Sequence, residues 1–285
     1  MTKLFTAIGL ILIAGGLLYH FAALAVFNFL VPFDSGASRV ATDMSYGENP
    51  RQRFDFYQPE GRGPFPVLLF VYGGSWDSGR KSDYAFVGHA LAAKGFLTAI
   101  ADYHLVPQFL YPSFVDDTAA AFAAVAKAAP NFQGDASRLF IMGHSAGGYN
   151  VAQAVLSGAT DRAGIPRESI KAMATLSAPL DFLPLDSPKS IAAFSHFSDL
   201  PKTQPINMPL DQSPPMLLLH GAEDLTVKPR NSIAMQKALL AKNRVAELKI
   251  YPGVDHVNIM LALSKPLRNR APSLDDVVNF FQRYD

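Results

Sequence analysis

The chain contains no cysteine. That excludes disulfides, a thiolate nucleophile, a cysteine zinc site and a lipidated N-terminal cysteine. It leaves the compartment open, because a cysteine-free chain survives in any redox environment. An excess of one charge is also missing. Twenty-five Lys and Arg against 24 Asp and Glu leave a formal net charge of +1, which argues against nucleic acid or a strongly acidic partner. Tryptophan is confined to Trp76. No internal repeat is visible, and no linker divides residues 39–285.

The third lack is local. From Leu4 to Phe33 no residue is charged. Roughly 20 apolar residues suffice for a helix to cross a bilayer, and in lipid the backbone must satisfy its own polar groups. The expectation is an N-terminal transmembrane anchor within residues 1–38, ending in a linker from Asp34 to Ser38. Lys3 and the amino terminus carry the positive charge before the run, so the positive-inside rule puts the bulk of the chain outside the cytoplasm. Two rivals stay open. One is a cleaved signal peptide with Ala23-Leu24-Ala25 as its cleavage site, which would leave a secreted protein. The other is an N-terminal helix packed on the domain. The sequence carries no signal for oligomeric state.

Beyond the linker, strand and helix patterns alternate. Arg39–Ser45 and Arg53–Gln58 read as short strands joined by a turn at Gly47-Glu-Asn-Pro50. Pro66–Tyr72 is a continuous apolar run, as for a strand covered on both faces. Phe96–Ala101, Arg138–Met142, Lys171–Ser177, Pro215–His220 and Ala246–Tyr251 complete eight candidate strands. Helices are expected over Ser82–Lys94, Asp116–Ala129, Tyr149–Leu156 and Asn231–Lys242. A last helix starts at a capping box, Ser273-Leu-Asp-Asp276. Such alternation means crossover connections and a mostly parallel sheet.

The chemistry centres on Gly143-His-Ser145-Ala-Gly147-Gly148. Strand, G-x-S-x-G and helix form the context of a nucleophile elbow. A serine hydroxyl needs a base, and histidine suits neutral pH. Of seven histidines, His256 stands just past the last strand, where catalytic groups of parallel sheets gather. His144 adjoins the serine and, on a turn, is expected to point elsewhere. An acid must orient and stabilise the imidazole. Asp224, in His220-Gly-Ala-Glu-Asp224, is favoured; Asp181, after the preceding strand, competes. An oxyanion hole needs backbone N–H donors. Those of Gly74 and Ser75, in Tyr72-Gly-Gly-Ser-Trp76, and of Ala146 are the candidates. No metal or cofactor is called for.

With Asp102-Tyr-His104-Leu and Gly253-Val-Asp-His256 added, these motifs resemble the α/β-hydrolase fold. Within it they resemble the esterases and lipases of the H-G-G-x-W group, which includes feruloyl-esterase-like and kynurenine-formamidase-like enzymes. The resemblance covers residues 40–285. It implies an eight-stranded sheet, a Ser145–Asp224–His256 triad and an oxyanion hole at Gly74, Ser75 and Ala146. It departs at Tyr72, where the group has histidine, and at His104, where many relatives have arginine. The reaction it implies is carboxylic-ester hydrolysis of a small or medium ester through an acyl-enzyme. The alternatives are an amide or formamide hydrolase of the same fold and a non-catalytic scaffold or binding protein. Residues 181–213, rich in proline and phenylalanine, read either as a small cap over an acyl pocket or as a packed excursion of the domain. Phe182, Phe194, Phe197, Met208 and Trp76 are its candidate pocket residues.

Overall fold

The computed structural model describes residues 24–285. Its centre is one eight-stranded sheet in the order β1-β2-β4-β3-β5-β6-β7-β8. The strands are β1 (Ala37–Ser45), β2 (Arg53–Pro59), β3 (Phe65–Val71), β4 (Leu97–Ala101), β5 (Gly134–His144), β6 (Ile170–Leu176), β7 (Met216–Gly221) and β8 (Ala246–Tyr251). β1 and β2, and β2 and β4, pair antiparallel. The other neighbours pair parallel. The central strands read Val-Leu-Leu-Phe-Val, Leu-Phe-Ile-Met and Met-Leu-Leu-Leu. They are buried on both faces, as helices on either side of a parallel sheet require.

The helices are α1 (residues 24–30), α2 (Ala85–Ala92), α3 (Ser113–Ala128), α4 (Ala146–Leu156), α5 (Ala159–Arg162), α6 (Pro188–Phe194), α7 (Arg230–Leu240), α8 (Asn258–Leu261) and α9 (Ser273–Gln282). Two expectations fail locally. Residues 81–84 form a 3-10 turn ahead of α2 rather than its first turn. Ser273 does not cap α9. It is buried, and its hydroxyl donates to the Ile259 carbonyl, 3.0 Å away, because the start of α9 lies against α8 and not in solvent.

The expected anchor is redrawn at its inner end. Residues 4–23 lie outside the described residues. Residues 24–33 pack on the domain. Phe27 meets Phe86 edge-on at 5.4 Å between ring centroids, and Phe33 stacks on His89. Asn28 accepts from the Phe86 N–H and donates to the Ser82 carbonyl. It thus satisfies an amide at the start of α2 that no residue of α2 caps. Asp34, read as linker, forms a two-pronged pair with Arg268 at 2.9 and 2.8 Å. Among the described residues no helix is long and apolar enough to cross a membrane.

Candidate active site

β5 ends at His144 and α4 begins at Ala146, so Ser145 alone makes the turn. Its φ of 53° and ψ of −126° form a backbone conformation a non-glycine residue adopts only under constraint. The constraint is packing. A Cβ on Gly147 would stand 2.2 Å from the Val71 carbonyl oxygen, and one on Gly143 would stand 2.5 Å from Gly147. The glycines let β3, β5 and α4 close around the serine. Its N–H is tied to the Leu176 carbonyl at 2.8 Å.

The loops after β7 and β8 deliver the partners. Ser145 Oγ lies 2.9 Å from His256 Nε2. His256 Nδ1 lies 2.8 Å from Asp224 Oδ2. Donor logic then puts the imidazole proton on Nδ1, leaving Nε2 free to accept from the hydroxyl. Asp224, not Asp181, is the carboxylate on His256. The Asp181 N–H bonds Asn231, and its own position starts the 181–213 segment. Asp224 is 1% exposed. Burial by itself would raise its pKa. Hydrogen bonds from His220, His256 and the Val227 N–H, with the charge of His256, outweigh that and hold the carboxyl well below the usual carboxylate range.

His220 is a part of this arrangement that the sequence reading did not assign. Its Nε2–H donates to the Val227 carbonyl at 2.8 Å and lies 3.4 Å from Asp224 Oδ2. Its Nδ1 accepts from the Ser232 hydroxyl at 2.7 Å. Its place in His220-Gly-Ala-Glu-Asp224, at the strand end before Asp224, was the available signal. His144 also departs from expectation. Its ring turns toward His256, with Nε2 2.9 Å from the His256 carbonyl oxygen. Among the described residues, His104 and His196 stay outside the chain of bonds: His104 pairs with Asp117, and His196 bonds the Tyr111 carbonyl.

Facing the serine is the loop after β3. Gly74, Ser75 and Trp76 all have positive φ, which turns their peptide groups away from helix or sheet pairing. Among the described residues, the N–H groups of Gly73 to Trp76 have no acceptor in the protein. Gly73 lies directly over the serine, since a Cβ there would come within 2.8 Å of Ser145 Cβ. The loop is braced from behind. Tyr72 Oη donates to Asp102 Oδ1 at 2.5 Å and accepts from Arg51 at 2.8 Å. Arg51 also bonds the Gly79 and Tyr103 carbonyls. Burial, then the Asp102 charge, pushes the Tyr72 phenol well above its ordinary value, so it remains a donor.

A cavity of about 260 Å³ opens on Ser145. Its polar side holds Ser75, Asp186 and Lys189; its apolar side holds Trp76, Ala146 and Phe182. Of the four candidate residues in 181–213, Phe182 alone lines this cavity. Phe194 packs behind Trp76 at 4.9 Å, Phe197 packs on Tyr111, and Met208 lies by Gln153. Trp76 is both lining and core: its indole N–H donates to Asn150 at 3.0 Å. Lys189, on α6, ion-pairs with Asp77 of the loop after β3, so the 181–213 segment is strapped to that loop beside the cavity.

The family model BD-FAE matches residues 54–239 of the chain. The chain belongs to the BD-FAE family. A probable isoprenylcysteine alpha-carbonyl methylesterase of Oryza sativa subsp. japonica is 30% identical over 91% of this BD-FAE chain and 67% of its own length. The isoprenylcysteine alpha-carbonyl methylesterase of Arabidopsis thaliana is 30% identical over 87% of this chain and 64% of its own. The chain thus spans about two thirds of the length of these relatives. Esterase B from Lactobacillus rhamnosis, inhibited by a tributyrin phosphonate, superposes with a TM-score of 0.79 at 17% identity, covering 95% of this chain and 94% of its own. A hormone-sensitive lipase from a metagenome library gives 0.75 at 23% identity, covering 93% and 92%. These two share the α/β-hydrolase fold. Family and relatives make this BD-FAE protein a serine hydrolase of the carboxylesterase class.

Proposed function

We propose that Ser145, His256 and Asp224 are the nucleophile, base and acid that hydrolyse a small or medium carboxylic ester. Ser145 Oγ attacks the acyl carbon while His256 Nε2 takes the hydroxyl proton. Asp224 stabilises the imidazolium that results. The carbonyl oxygen becomes an oxyanion, and the N–H groups of Gly74, Ser75 and Ala146 receive it. His256 then returns the proton to the leaving alcohol as the tetrahedral centre collapses to the acyl-enzyme. Water attacks the acyl-enzyme by the same route and releases the acid and free Ser145.

The observation that carries this reading is the 2.9 Å contact between Ser145 Oγ and His256 Nε2 at the floor of an aromatic-walled cavity. The size of that cavity favours compact substrates, with residues 181–213 acting as a small cap. Similarity to the isoprenylcysteine alpha-carbonyl methylesterases supports an ester of a short alcohol. The test is a p-nitrophenyl ester series with a fluorophosphonate label. The wild type should be labelled and should prefer short to medium acyl chains. Ser145→Ala should lose the label and at least about 1,000-fold in kcat. Asp224→Asn should lose activity where Asp181→Asn retains it. A folded wild type that takes no label refutes the serine mechanism.

We also propose that the uncharged run holds the protein at a membrane, with the catalytic domain outside the cytoplasm. The run Leu4 to Ala23 has the needed length, and the adjoining helix α1 exposes Val26, Phe29 and Leu30, Phe29 at 86%. Alkaline carbonate extraction and N-terminal sequencing of the native protein distinguish anchor from cleaved signal.

A further inference from the structure

His144 is the buried polar group beside Ser145 that the acyl-transfer steps leave unused. It is 5% exposed. Its Nε2 faces the His256 main-chain carbonyl at 2.9 Å. A carbonyl only accepts, so Nε2 carries the proton and Nδ1 is a bare lone pair. Nδ1 is buried and has no partner among the described residues. Burial, with the neighbouring His256, lowers the imidazole pKa to about 3, so the ring stays neutral near physiological pH. A neutral buried histidine with one ring nitrogen unsatisfied is a poor arrangement for stability alone.

The other end of the bond explains the arrangement. Among the described residues no backbone N–H donates to the His256 carbonyl. The amides that follow go elsewhere: Val257 and Asn258 to Asp255 Oδ1, and Ile259 to the Asp255 carbonyl. β6 and β7 stand between β5, which carries the elbow, and β8, which carries His256. No strand ladder connects those two loops. On its opposite side the His144 ring underlies the loop after β3, where a Cβ on Gly73 would stand 3.1 Å from Nδ1.

We propose that His144 is a positioning residue that ties the backbone of the base to the elbow and so holds His256 Nε2 on the Ser145 hydroxyl. The proposal rests on the acyl-transfer reading above. Asp224 orients the imidazole ring of His256, and His144 locates the residue that bears it. Displacements of about 1 Å at a reacting group cost on the order of 100-fold in rate, so a second tether has a rate to protect.

Three variants test it. His144→Gln places an amide N–H where Nε2–H stood. His144→Leu fills similar space without a donor. His144→Asn keeps a donor that is one bond too short. Circular dichroism and thermal melts establish folding first. Folded H144L should lose at least about tenfold in kcat with KM within about twofold, and its rate of phosphonate labelling should fall in step. H144Q should retain kcat within about threefold. Should H144L not fold, H144N takes its place with the same expected loss. Wild-type kcat in folded H144L or H144N overturns the proposal, as does an equal loss in H144Q. A wild type that is never labelled refutes the parent mechanism instead, so the two failures read differently.

Discussion

At the scale of the residue, the site is a balance of protons held in place by burial. His144 gives a signed pH prediction. Its pKa is lowered from 6.5 to about 3 in the folded chain, while the unfolded chain titrates near the ordinary value. Between those values the unfolded state binds more protons, so stability falls as pH falls through that window. His144→Gln removes the term. Urea midpoints of the wild type and H144Q should therefore differ least above pH 6.5 and diverge in favour of H144Q as pH drops toward 4. Parallel curves would contradict the buried neutral imidazole. Asp224 behaves with the opposite chemistry and the same sign. Its depressed pKa contributes stability that is present above the ordinary carboxylate range and lost in stronger acid.

At the scale of the element, the elbow and the loop facing it are the two devices that turn a sheet edge into a site. Gly147 sits where any side chain would strike the Val71 and Tyr72 carbonyls. Gly147→Ala should cost about 1–3 kcal/mol, as overpacking does, read as a lower urea midpoint with unchanged m. The loop after β3 depends on Tyr72, Asp102 and Arg51. Tyr72→Phe deletes the hydroxyl and leaves half-buried Arg51 and Asp102 each short of a partner. Its expected effect is about a tenfold loss in kcat with a small change in KM. Retained kcat in a folded Y72F would show that the ring, not the hydroxyl, supports the loop. A phenol thus stands where the H-G-G-x-W group has an imidazole, and it supplies the brace through a donor of its own.

At the scale of the whole molecule, residues 24–34 are part of the domain, through Phe27 on Phe86, Asn28 on the start of α2 and Asp34 on Arg268. A chain that begins at Leu24 should melt within about 2 °C of the full protein, since the described contacts of Phe27, Asn28 and Asp34 with the domain are kept. Phe27→Ala should cost about 1–2 kcal/mol, the apolar burial of a half-buried ring. If the shortened chain melts far lower, residues before 24 carry contacts to the domain.

Much of this protein was legible in its sequence, because backbone geometry and local chemistry act over short distances. The apolar runs of β3, β5 and β7, the G-x-S-x-G between strand and helix, and the order of serine, acid and histidine all follow from neighbours along the chain. The eight strands follow for the same reason, with ends off by a residue or two, or four at the start of β5. Sequence favoured Asp224 but kept Asp181 as a competitor, since both follow a strand and their distance to His256 is set by the packing of loops from different strands. It could not turn the His144 ring toward the His256 carbonyl or hold the end of α1 against the start of α2. Those contacts join residues 112 and 54 to 58 positions apart, and only the closed sheet with its helices brings such groups within hydrogen-bond reach.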